Sequence, residues 1–477
     1  MNFYFSAIIF IINIALALTL IFLERRNPTT TWAWVLILMF VPGLGFVLYL
    51  FLGQNYRKRK RITAKGHNDM IRVARQRSEM LTQHHLDFND PNIFNIGDLI
   101  LLFYRNSGSV FSRNNKVTIL NNGDEKFPAL IEELRGAKHH IHMAYYIIRD
   151  DEIGRAVRDL LAQKAQEGVE VRLLYDGMGC LFVGKRYFDP IIRAGGKVAA
   201  FLPPFIPYIN VRVNYRNHRK IIVIDGEIAF TGGLNLGDEY LGRSLKYGFW
   251  RDMHLMIRGS AVDQLQLRFM MDWQFASKKD IPASRKYFPH KYDTDGSGLQ
   301  IVSSGPDSSW AAIHQGYVKM ISRARKKVYI QTPYFVPDDS MATALKIAAL
   351  GGVDVRIMIP AMPDHPFVYW ASTSYIGELL EAGAKAYIYD NGFLHSKLLI
   401  TDDSVASVGT ANLDIRSFSM NFEVNTFIYD TDIIKKLEGF FLEDLRLCEQ
   451  ITPESYAARP LSMRFKESVS RLLSPLL

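Results

Sequence analysis

Cysteine is almost absent from this chain. Only Cys180 and Cys448 occur among 477 residues, and neither belongs to a Cys-x-x-Cys pair. A cysteine-based metal site is therefore unsupported, no feature argues for a disulfide, and we expect two buried or unreactive thiols. The chain also lacks clusters of metal-binding side chains and the glycine-rich loop with which many nucleotide-binding proteins hold phosphates.

Acidic side chains are the minority among the charged groups. The chain carries 57 Lys and Arg against 48 Asp and Glu, a formal net charge of +9. This balance favours anionic partners, but it does not distinguish nucleic acid from an acidic membrane surface. The length exceeds that of one ordinary domain, so several units or two similar halves are expected.

Charge is missing altogether from two stretches near the N-terminus, residues 3–23 and 32–52. A helix of 21 residues is about 30 Å long, the thickness of a bilayer core. We predict an antiparallel transmembrane hairpin, kinked at Pro42-Gly43. The five basic residues at 57–61 outweigh the two arginines of the connecting loop, which predicts a multi-pass cell-membrane protein with its globular part on the cytoplasmic side. The weakly amphipathic stretch 68–83 is expected to link the two parts.

A short motif occurs twice, beginning at His218 and at His395. Both copies read His, any residue, Lys, four mostly apolar residues, Asp, six residues, Gly, two residues, Asn. Each residue type is used about one time in twenty, so a five-position match has a chance of roughly 10⁻⁴ in a chain this long. Two independent accidents can be dismissed.

The globular part repeats a pattern of alternating strands and helices. Strands are predicted at 117–120, 140–147 and 169–175 and again at 299–302, 328–331 and 353–358, with helices at 127–135, 151–166, 311–322 and 341–350. Corresponding elements lie about 180 residues apart, and the two motif histidines are 177 residues apart. We predict a duplicated α/β unit with its junction near 278–297.

The histidine and lysine of each motif are expected to act together. His218 and Lys220 are two residues apart before a β-branched run, so on a strand they point to the same face, and the same holds for His395 and Lys397. One such pair in each half predicts a single site between the halves, related by a pseudo-twofold axis. Lysines without neighbouring cysteines or paired carboxylates suit a phosphate better than a metal.

The remaining motif residues fall into two groups. Asp225 and Asp402 lie seven positions after the histidines, on the opposite strand face or in the following turn, so an orienting or architectural role is favoured over direct chemistry. Asn235 and Asn412 follow glycines that let the backbone come close, and their amides are candidates to donate to an oxyanion.

Two histidines near neutral pH can divide the work of a phosphodiester transfer. One acts as nucleophile, and the other as the general acid that protonates the leaving alkoxide. Each also needs an acceptor on its second ring nitrogen. Glu423 lies 28 residues after His395, and Asp252 holds the comparable place in the first half. We predict that these two carboxylates orient the histidines.

These motifs resemble the phospholipase D superfamily, which is named for its doubled His-Lys-Asp motif, and within it the bacterial cardiolipin synthases. The likeness extends over nearly the whole chain. The segments that carry it are ERRNP at 24–28, NHRK at 217–220, TPYFVPD at 332–338, GFLHSK at 392–397 and LSPLL at 473–477. One departure is Gly233, where the superfamily often has serine; since Thr410 keeps a hydroxyl in the second half, one hydroxyl contact is expected to be missing from the first.

The resemblance implies a transphosphatidylation. One histidine attacks the phosphorus of phosphatidylglycerol, glycerol leaves, and the terminal hydroxyl of a second phosphatidylglycerol captures the phosphatidyl-histidine to give cardiolipin. The family's signature positions map onto His218, Lys220, Asp225, His395, Lys397 and Asp402. The likeness favours His218 as nucleophile and His395 as general acid. It implies no metal or nucleotide cofactor, and its partners are phosphatidylglycerol and anionic membrane lipid, not nucleic acid.

The predicted architecture is an α/β protein with two pseudo-twofold-related phospholipase D-like halves, each a mixed β-sheet flanked by helices, behind an N-terminal two-helix transmembrane hairpin. The predicted divisions are the hairpin with its basic flank at 1–62, a helical linker at 63–110, the first half at 111–280, the second half at 281–446 and a C-terminal tail at 447–477.

Functions other than that of a synthase are compatible with the same motifs. A phospholipase D that uses water or another alcohol shares them, because pocket shape and water exclusion choose the acceptor. The net positive charge is compatible with a nuclease of the superfamily, although the apolar runs argue against it. A non-catalytic scaffold is disfavoured because both motifs are intact. The apolar loop 201–209 either admits acyl chains or is simply packed, and the tail 464–477 either lies on a membrane surface or packs as a terminal helix.

Overall fold

The structure is a computed structural model that divides the chain into two compact units. One is formed by residues 1–64 and 204–215, and the other by residues 65–203 and 216–477. The residues it describes are 14–15, 28–41, 45, 96–203, 215–282, 284–289, 296–362 and 364–474.

The first unit contains helix α1, Pro28–Phe40. Proline suits the first position of a helix, because the N–H that it lacks has no helical partner there. Within the ranges given above, no helix combines the length and the apolar content that a membrane crossing needs. Of the predicted run 3–23 only residues 14–15 are described, and of the run 32–52 residues 42–44 and 46–52, with the predicted kink, lie outside the described residues. All of 57–61 and 68–83 lie outside them as well.

The second unit holds two copies of one α/β arrangement. The strands of the first half are β1 Ser112–Asn121, β2 His140–Tyr145, β3 Glu170–Asp176, β4 Lys197–Phe201, β5 Arg216–Asn217, β6 Ile221–Ile224, β7 Ile228–Gly232, β8 Trp250–Arg251 and β9 Met253–Gly259. Those of the second half are β10 Ser297–Ser304, β11 Lys327–Gln331, β12 Phe335–Val336, β13 Asp354–Pro360, β14 Lys385–Tyr389, β15 Phe393–Leu394, β16 Leu398–Thr401, β17 Val405–Gly409, β18 Leu413–Asp414, β19 Asn421–Ile428 and β20 Cys448–Ile451.

The helices of this unit flank the strands. They are α2 Gly97–Ser107, α3 Asn122–Gly136, α4 Glu152–Gln166, α5 Asp189–Arg193, α6 Ala261–Ser277, α7 Ala312–Arg323, α8 Asp339–Leu350, α9 Pro366–Glu381, α10 Ile415–Ser419, α11 Thr431–Leu445, α12 Pro453–Ala457 and α13 Leu461–Leu472. The predicted strands and helices of both halves are all present, although α3 begins five residues earlier than expected and β2 ends two residues earlier.

One sheet runs through both halves in the order β20-β14-β13-β11-β16-β17-β19-β10-β1-β9-β7-β6-β2-β3-β4. The halves join where β1 pairs antiparallel with β10, with Ser112 opposite Leu299. In the first half β2, β3 and β4 pair in parallel, and in the second half β11, β13 and β14 do so. The edge strand β20 pairs antiparallel with β14, and the strands on either side of the join are antiparallel. This mixed sheet confirms the predicted α/β core and its duplication. The five predicted sequence divisions stay a prediction.

Two apolar cores lie against this sheet, one for each half. The strands that follow the motifs, β6 and β16, are buried along their whole length. Burial on both faces explains why these segments read as continuous apolar runs and not as alternating patterns. Phe393 of the second half belongs to the core of the first, so the two halves also share apolar contacts.

The two cysteines and the start of the apolar loop are well packed. Cys180 is a buried free thiol and Cys448 a half-buried one, and burial raises the pKa of both to about 12, so neither is reactive at neutral pH. At the start of the apolar loop, the ring of Phe201 packs on Phe275 and Phe422. Residues 204–209 of that loop lie outside the described residues.

Candidate active site

The histidine and lysine of each motif occupy the same place in the two halves. Three residues connect the short strand β5 to β6, and three connect β15 to β16, and the motif residues are the first and third of each three. His218 and His395 are each 7% exposed, while Lys220 and Lys397 are almost completely buried. The two imidazoles thus keep a small accessible surface, and the two ammonium groups lie beneath the surface.

The halves exchange strands around this site. Strand β5 pairs in parallel with β19 of the other half, and β15 pairs in parallel with β8. The backbone N–H of His218 donates to the carbonyl of Phe422 (3.0 Å), and that of His395 donates to the carbonyl of Arg251 (2.7 Å). Each histidine is therefore placed beside the residue that follows Phe422 or Arg251 in the opposite half.

Those following residues are the two predicted carboxylates. Nδ1 of His218 lies 2.9 Å from Oε2 and 3.0 Å from Oε1 of Glu423. Nδ1 of His395 lies 2.6 Å from Oδ2 of Asp252. Both carboxylates are fully buried. The structure thus brings each predicted carboxylate to a histidine, and the histidine is the one of the other half, an exchange that spacing within a half does not reveal.

The two lysines converge on the same region. Nζ of Lys220 donates to the backbone carbonyl of His218 (2.9 Å), and Nζ of Lys397 donates to that of His395 (2.5 Å). Burial and, to a smaller extent, the charge of Lys397 together lower the pKa of Lys220 to about 7. Burial likewise lowers the pKa of Lys397 to about 8. A bound anion would stabilise two buried ammonium groups that repel each other, and the predicted phosphate site at these lysines stays a prediction.

The imidazoles are neutral at pH 7. Burial lowers the pKa of His218 to about 4 and that of His395 to about 3, and the nearby lysines act in the same direction. The carboxylates oppose this shift without overcoming it. Because Nδ1 donates its hydrogen to a carboxylate, the lone pair lies on Nε2, which is the nitrogen free to react. Lys397 also lies 2.8 Å from Nδ1 of His395, but a nitrogen that donates to Asp252 has no lone pair left to accept.

The two carboxylates have different supports. The Thr410 hydroxyl donates to Oε2 of Glu423 (2.5 Å). In the first half a Cβ on Gly233 would lie 2.0 Å from Oδ1 of Asp252, so the carboxylate fills the space of a side chain. Oδ1 of Asp252 accepts from the backbone N–H of Met253 instead (2.8 Å). The hydroxyl contact expected to be missing from the first half is therefore missing for a steric reason.

The motif aspartates lie at the other end of the following strands. Asp225 accepts from the backbone N–H groups of residues 138–140 at 2.7–2.9 Å, and Asp402 accepts from those of residues 325–327 at 2.8–3.3 Å. Four strand residues, 221–224, lie between Lys220 and Asp225, so the two Cα atoms are about 16 Å apart along the strand. The resemblance counts Asp225 and Asp402 with the catalytic positions. In the structure both carboxylates accept from backbone N–H groups, the kind of contact that the architectural role requires, and the role of the two aspartates stays a prediction.

This role gives a prediction for stability. Asp402→Ala should lower the free energy of unfolding by roughly 2–4 kcal/mol, because three backbone N–H groups lose a charged acceptor. Asp403→Ala is the matched control. It removes an ion pair with Lys327 (2.8 Å) and should cost less than about 1 kcal/mol. Denaturant unfolding measures both, and equal values for the two variants would contradict the architectural role.

The motif asparagines contact protein groups. The amide of Asn235 donates to the Tyr240 hydroxyl (3.1 Å), and its Oδ1 accepts from the N–H of Ile147 (3.2 Å). The amide of Asn412 is among the groups that lower the pKa of Asp414, although burial raises that pKa to about 6. One amide hydrogen of each asparagine is thus engaged within the protein, and their part as oxyanion donors stays a prediction.

Two buried arginines were missed by sequence reasoning. Arg219, between the motif His and Lys, is paired through Nη1 with both oxygens of Asp272 (2.8 and 2.9 Å) and donates through Nε to the backbone carbonyl of Glu423 (3.0 Å). Arg251 is paired through Nε with both oxygens of Asp444 (2.7 and 2.9 Å). Each arginine fixes the backbone beside an orienting carboxylate. Its position next to a motif residue was the only available signal.

Known proteins similar in sequence to this chain are cardiolipin synthases. A family model described as "Cardiolipin synthase, PLD-like domain" matches residues 130–273 and 317–445, and one described as "Phospholipase_D-nuclease N-terminal" matches residues 11–54. A cardiolipin synthase of Listeria innocua is 49% identical over 99% of both chains. The major cardiolipin synthase of Bacillus subtilis is 49% identical over 99% of this chain and 98% of its own.

The chain belongs to the cardiolipin synthases with phospholipase D-like domains. This membership confirms the predicted family, the enzyme class and the cardiolipin synthase function. Among solved structures, phosphatidylserine synthase of Haemophilus influenzae has a similar fold, with a TM-score of 0.59 over 76% of this cardiolipin synthase chain and 95% of its own, at 16% identity. At that identity the likeness concerns the fold alone.

Proposed function

We propose that this cardiolipin synthase joins two phosphatidylglycerol molecules through a phosphatidyl-histidine, with His218 as nucleophile and His395 as general acid. The observation that carries the proposal is the exchange of partners within one buried site. Nδ1 of each imidazole is hydrogen-bonded to a carboxylate of the other half. The ammonium group of each motif lysine donates to the backbone carbonyl of the histidine in the same motif. A single phosphodiester is thereby addressed by both motifs.

In the first step Nε2 of His218 attacks phosphorus. The phosphorus–nitrogen bond forms, the bond to the glycerol oxygen breaks, and that oxygen takes a proton from His395. The imidazole of His395 is neutral in the free enzyme, so it acquires this proton when the phosphodiester binds and its negative charge raises the histidine pKa. Glycerol then leaves the site.

In the second step His395 acts as a base. The terminal hydroxyl of a second phosphatidylglycerol gives its proton to His395, its oxygen attacks phosphorus, and the phosphorus–nitrogen bond to His218 breaks. Cardiolipin forms, His218 is free again, and His395 holds the proton of the acceptor hydroxyl. His395 releases this proton to solvent as the product leaves, which restores the neutral imidazole of the free enzyme. Lys220 and Lys397 stabilise the charge that builds on the phosphoryl oxygens, and Asn235 and Asn412 are proposed to assist through their remaining amide hydrogens.

The proposed setting is the cell membrane. The N-terminal family model covers residues 11–54, which include most of the two uncharged runs. We propose that these residues anchor the enzyme in the membrane, with the catalytic halves on the cytoplasmic side and anionic phospholipid, not nucleic acid, as partner. The division of the chain at 62, 110, 280 and 446 belongs to the same proposal.

A product assay tests the proposed acceptor. Purified enzyme incubated with phosphatidylglycerol alone should release glycerol and cardiolipin in equal amounts, measured by mass spectrometry. Phosphatidic acid as the main product would instead show that water is the acceptor. The same enzyme with DNA or RNA should leave both intact, and cleavage of either would support a nuclease.

The lysines predict an unusual pH dependence. Their pKa values in the free enzyme, about 7 for Lys220 and about 8 for Lys397, mean that the ammonium forms are lost as the pH rises through this range. Because kcat/KM reports the free enzyme, it should fall above about pH 7–8. Bound phosphate raises the lysine pKa values, so the fall in kcat should begin at higher pH. Profiles in nonionic detergent micelles measure both, and coincident alkaline limbs would contradict this assignment of the lysines.

A further inference from the structure

The last helix of the described chain, α13, carries apolar side chains on its outer face. Leu461, Phe465 and Leu472 are 80%, 70% and 81% exposed, and Val469 is exposed as well. At 100° per residue, the first three lie within about 40° of one another around the helix axis. They form one outward stripe, which is the reverse of the arrangement in an ordinary surface helix.

The inner face of α13 is polar and fixed by ion pairs. Glu467 is buried and accepts from Nη1 of Arg459 with both oxygens (2.7 Å each). Arg471 donates to Glu378 on α9, and its guanidinium lies 4.5 Å from the ring centre of Tyr375. Turning the helix to bury its apolar stripe would break these contacts. The contacts that attach α13 to the protein therefore also hold its apolar stripe toward solvent.

Cationic and aromatic groups border the stripe. Arg464 and Lys466 lie on its two sides, both exposed, and no ion pair within the described part of the chain includes either of them. Nζ of Lys466 lies 5.1 Å from the ring centre of Trp370 on α9. That ring meets Phe367, which is 51% exposed. An apolar stripe flanked by cations and aromatic rings is typical of helices that lie in a membrane interface.

We propose that this outer face of α13, together with Phe367, docks on the surface of an anionic phospholipid bilayer. The proposal rests on the proposed function in one respect, that the substrate lipid is held in a bilayer. Charge favours this occupant over a second copy of the chain. A twofold contact between two α13 helices would bring Arg464 and Lys466 close to their own copies, whereas anionic headgroups would neutralise them.

The docking face begins beside the active site. Helix α9 starts at Pro366, and the hydroxyl of Tyr334 donates to Asp364, two residues earlier. Asp364 is also among the acidic groups that oppose the effect of burial on the pKa of Lys397. A bilayer held on α13 and Phe367 would therefore contact the side of the protein on which Asp364 lies near Lys397, so docking would bring lipid headgroups close to the active site.

A triple variant tests the proposal in the full chain. Leu461→Ser/Phe465→Ser/Leu472→Ser, reconstituted in phosphatidylglycerol–phosphatidylcholine vesicles, should lose about tenfold or more in turnover of bilayer substrate and keep wild-type turnover of monomeric short-chain phosphatidylglycerol. The matched control is Ile347→Ser/Leu350→Ser on α8, whose side chains are 65% and 73% exposed; it should match the wild type on both substrates. Wild-type turnover of the triple variant on vesicles would overturn the proposal.

A fluorescent reporter tests docking independently of turnover. An environment-sensitive fluorophore on Phe465→Cys, in a Cys180→Ser/Cys448→Ser background, should shift to the blue and resist an aqueous quencher in anionic vesicles, while the same label on Ile347→Cys should not. An unshifted label at 465 would overturn docking, even if the triple variant misfolds. A shift that follows protein density and not lipid charge would indicate a second copy, which also overturns it. If the wild type makes no cardiolipin, the proposed function fails while this measurement still decides docking.

Discussion

Replacing either motif histidine with alanine is expected to lower kcat for cardiolipin formation by about 10⁵-fold. His218→Ala removes the nucleophile, and His395→Ala removes the proton donor for glycerol and the base for the acceptor. When several residues act as one catalytic unit, replacing any one of them lowers kcat nearly as much as replacing all of them, commonly by 10⁴–10⁶. Loss of either histidine should therefore be almost as severe as loss of both.

His314→Ala is the matched control for this prediction. His314 lies on α7, outside the site, with Nε2 3.0 Å from Asp338, and its replacement should change kcat by only a few-fold. Steady-state cardiolipin formation measures all three variants, with a thermal melt to establish that each is folded. A folded His218→Ala or His395→Ala enzyme that keeps more than about 1% of turnover would show that one motif suffices.

Neutralising either orienting carboxylate is expected to have the second largest effect. Glu423→Gln and Asp252→Asn keep the size of each side chain but replace the charge that holds Nδ1–H and stabilises the imidazolium. In a serine protease triad the equivalent change lowers kcat by about 10⁴, and we expect about 10³–10⁴ here. Both carboxylates are fully buried, so water cannot take their place.

Glu438→Gln is the control for the carboxylates. Glu438 accepts from Nζ of Lys327 with both oxygens (2.6 Å each), away from the histidines, and its neutralisation should leave kcat within about twofold of the wild type. Steady-state rates with phosphatidylglycerol measure the three variants. If Glu423→Gln also stayed within twofold, the hydrogen bond to His218 would have no catalytic part.

The sequence was sufficient to predict the repeat and a set of candidate site residues, but not which histidine meets which carboxylate. The strands β6 and β16 were predictable, because a short apolar run, rich in β-branched residues and ended by a turn aspartate, is typical of a buried strand and too short for a helix. Strands β5, β8 and β15 have two residues each, too few for any periodic pattern. Their pairing across the halves decides which carboxylate meets which histidine, and nothing local encodes it.

Two further features, the glycine at position 233 and the orientation of α13, depend on contacts in three dimensions and not on a sequence pattern. Gly233 was noticed as a departure, but its reason, the carboxylate of Asp252 in the volume of a side chain, appears only in three dimensions. The outward stripe of α13 is similar. The spacing of its apolar residues predicts an amphipathic helix. The direction in which its polar face points is set by ion pairs with Arg459, eight residues before Glu467, and with Glu378 on α9, and periodicity does not reveal these pairs.

The central claim, that each histidine works with the carboxylate of the other half, is tested most directly by changing the leaving group. In a phosphatidyl ester of p-nitrophenol the leaving group is p-nitrophenolate. This anion leaves without being protonated, so the reaction no longer needs a general acid. We predict that it restores substantial first-step turnover to His395→Ala and Asp252→Asn, and little to His218→Ala and Glu423→Gln. Rescue of His218→Ala with Glu423→Gln would keep the pairing and reverse the roles. Rescue of Glu423→Gln together with His395→Ala, and not of Asp252→Asn, would contradict the exchange between the halves.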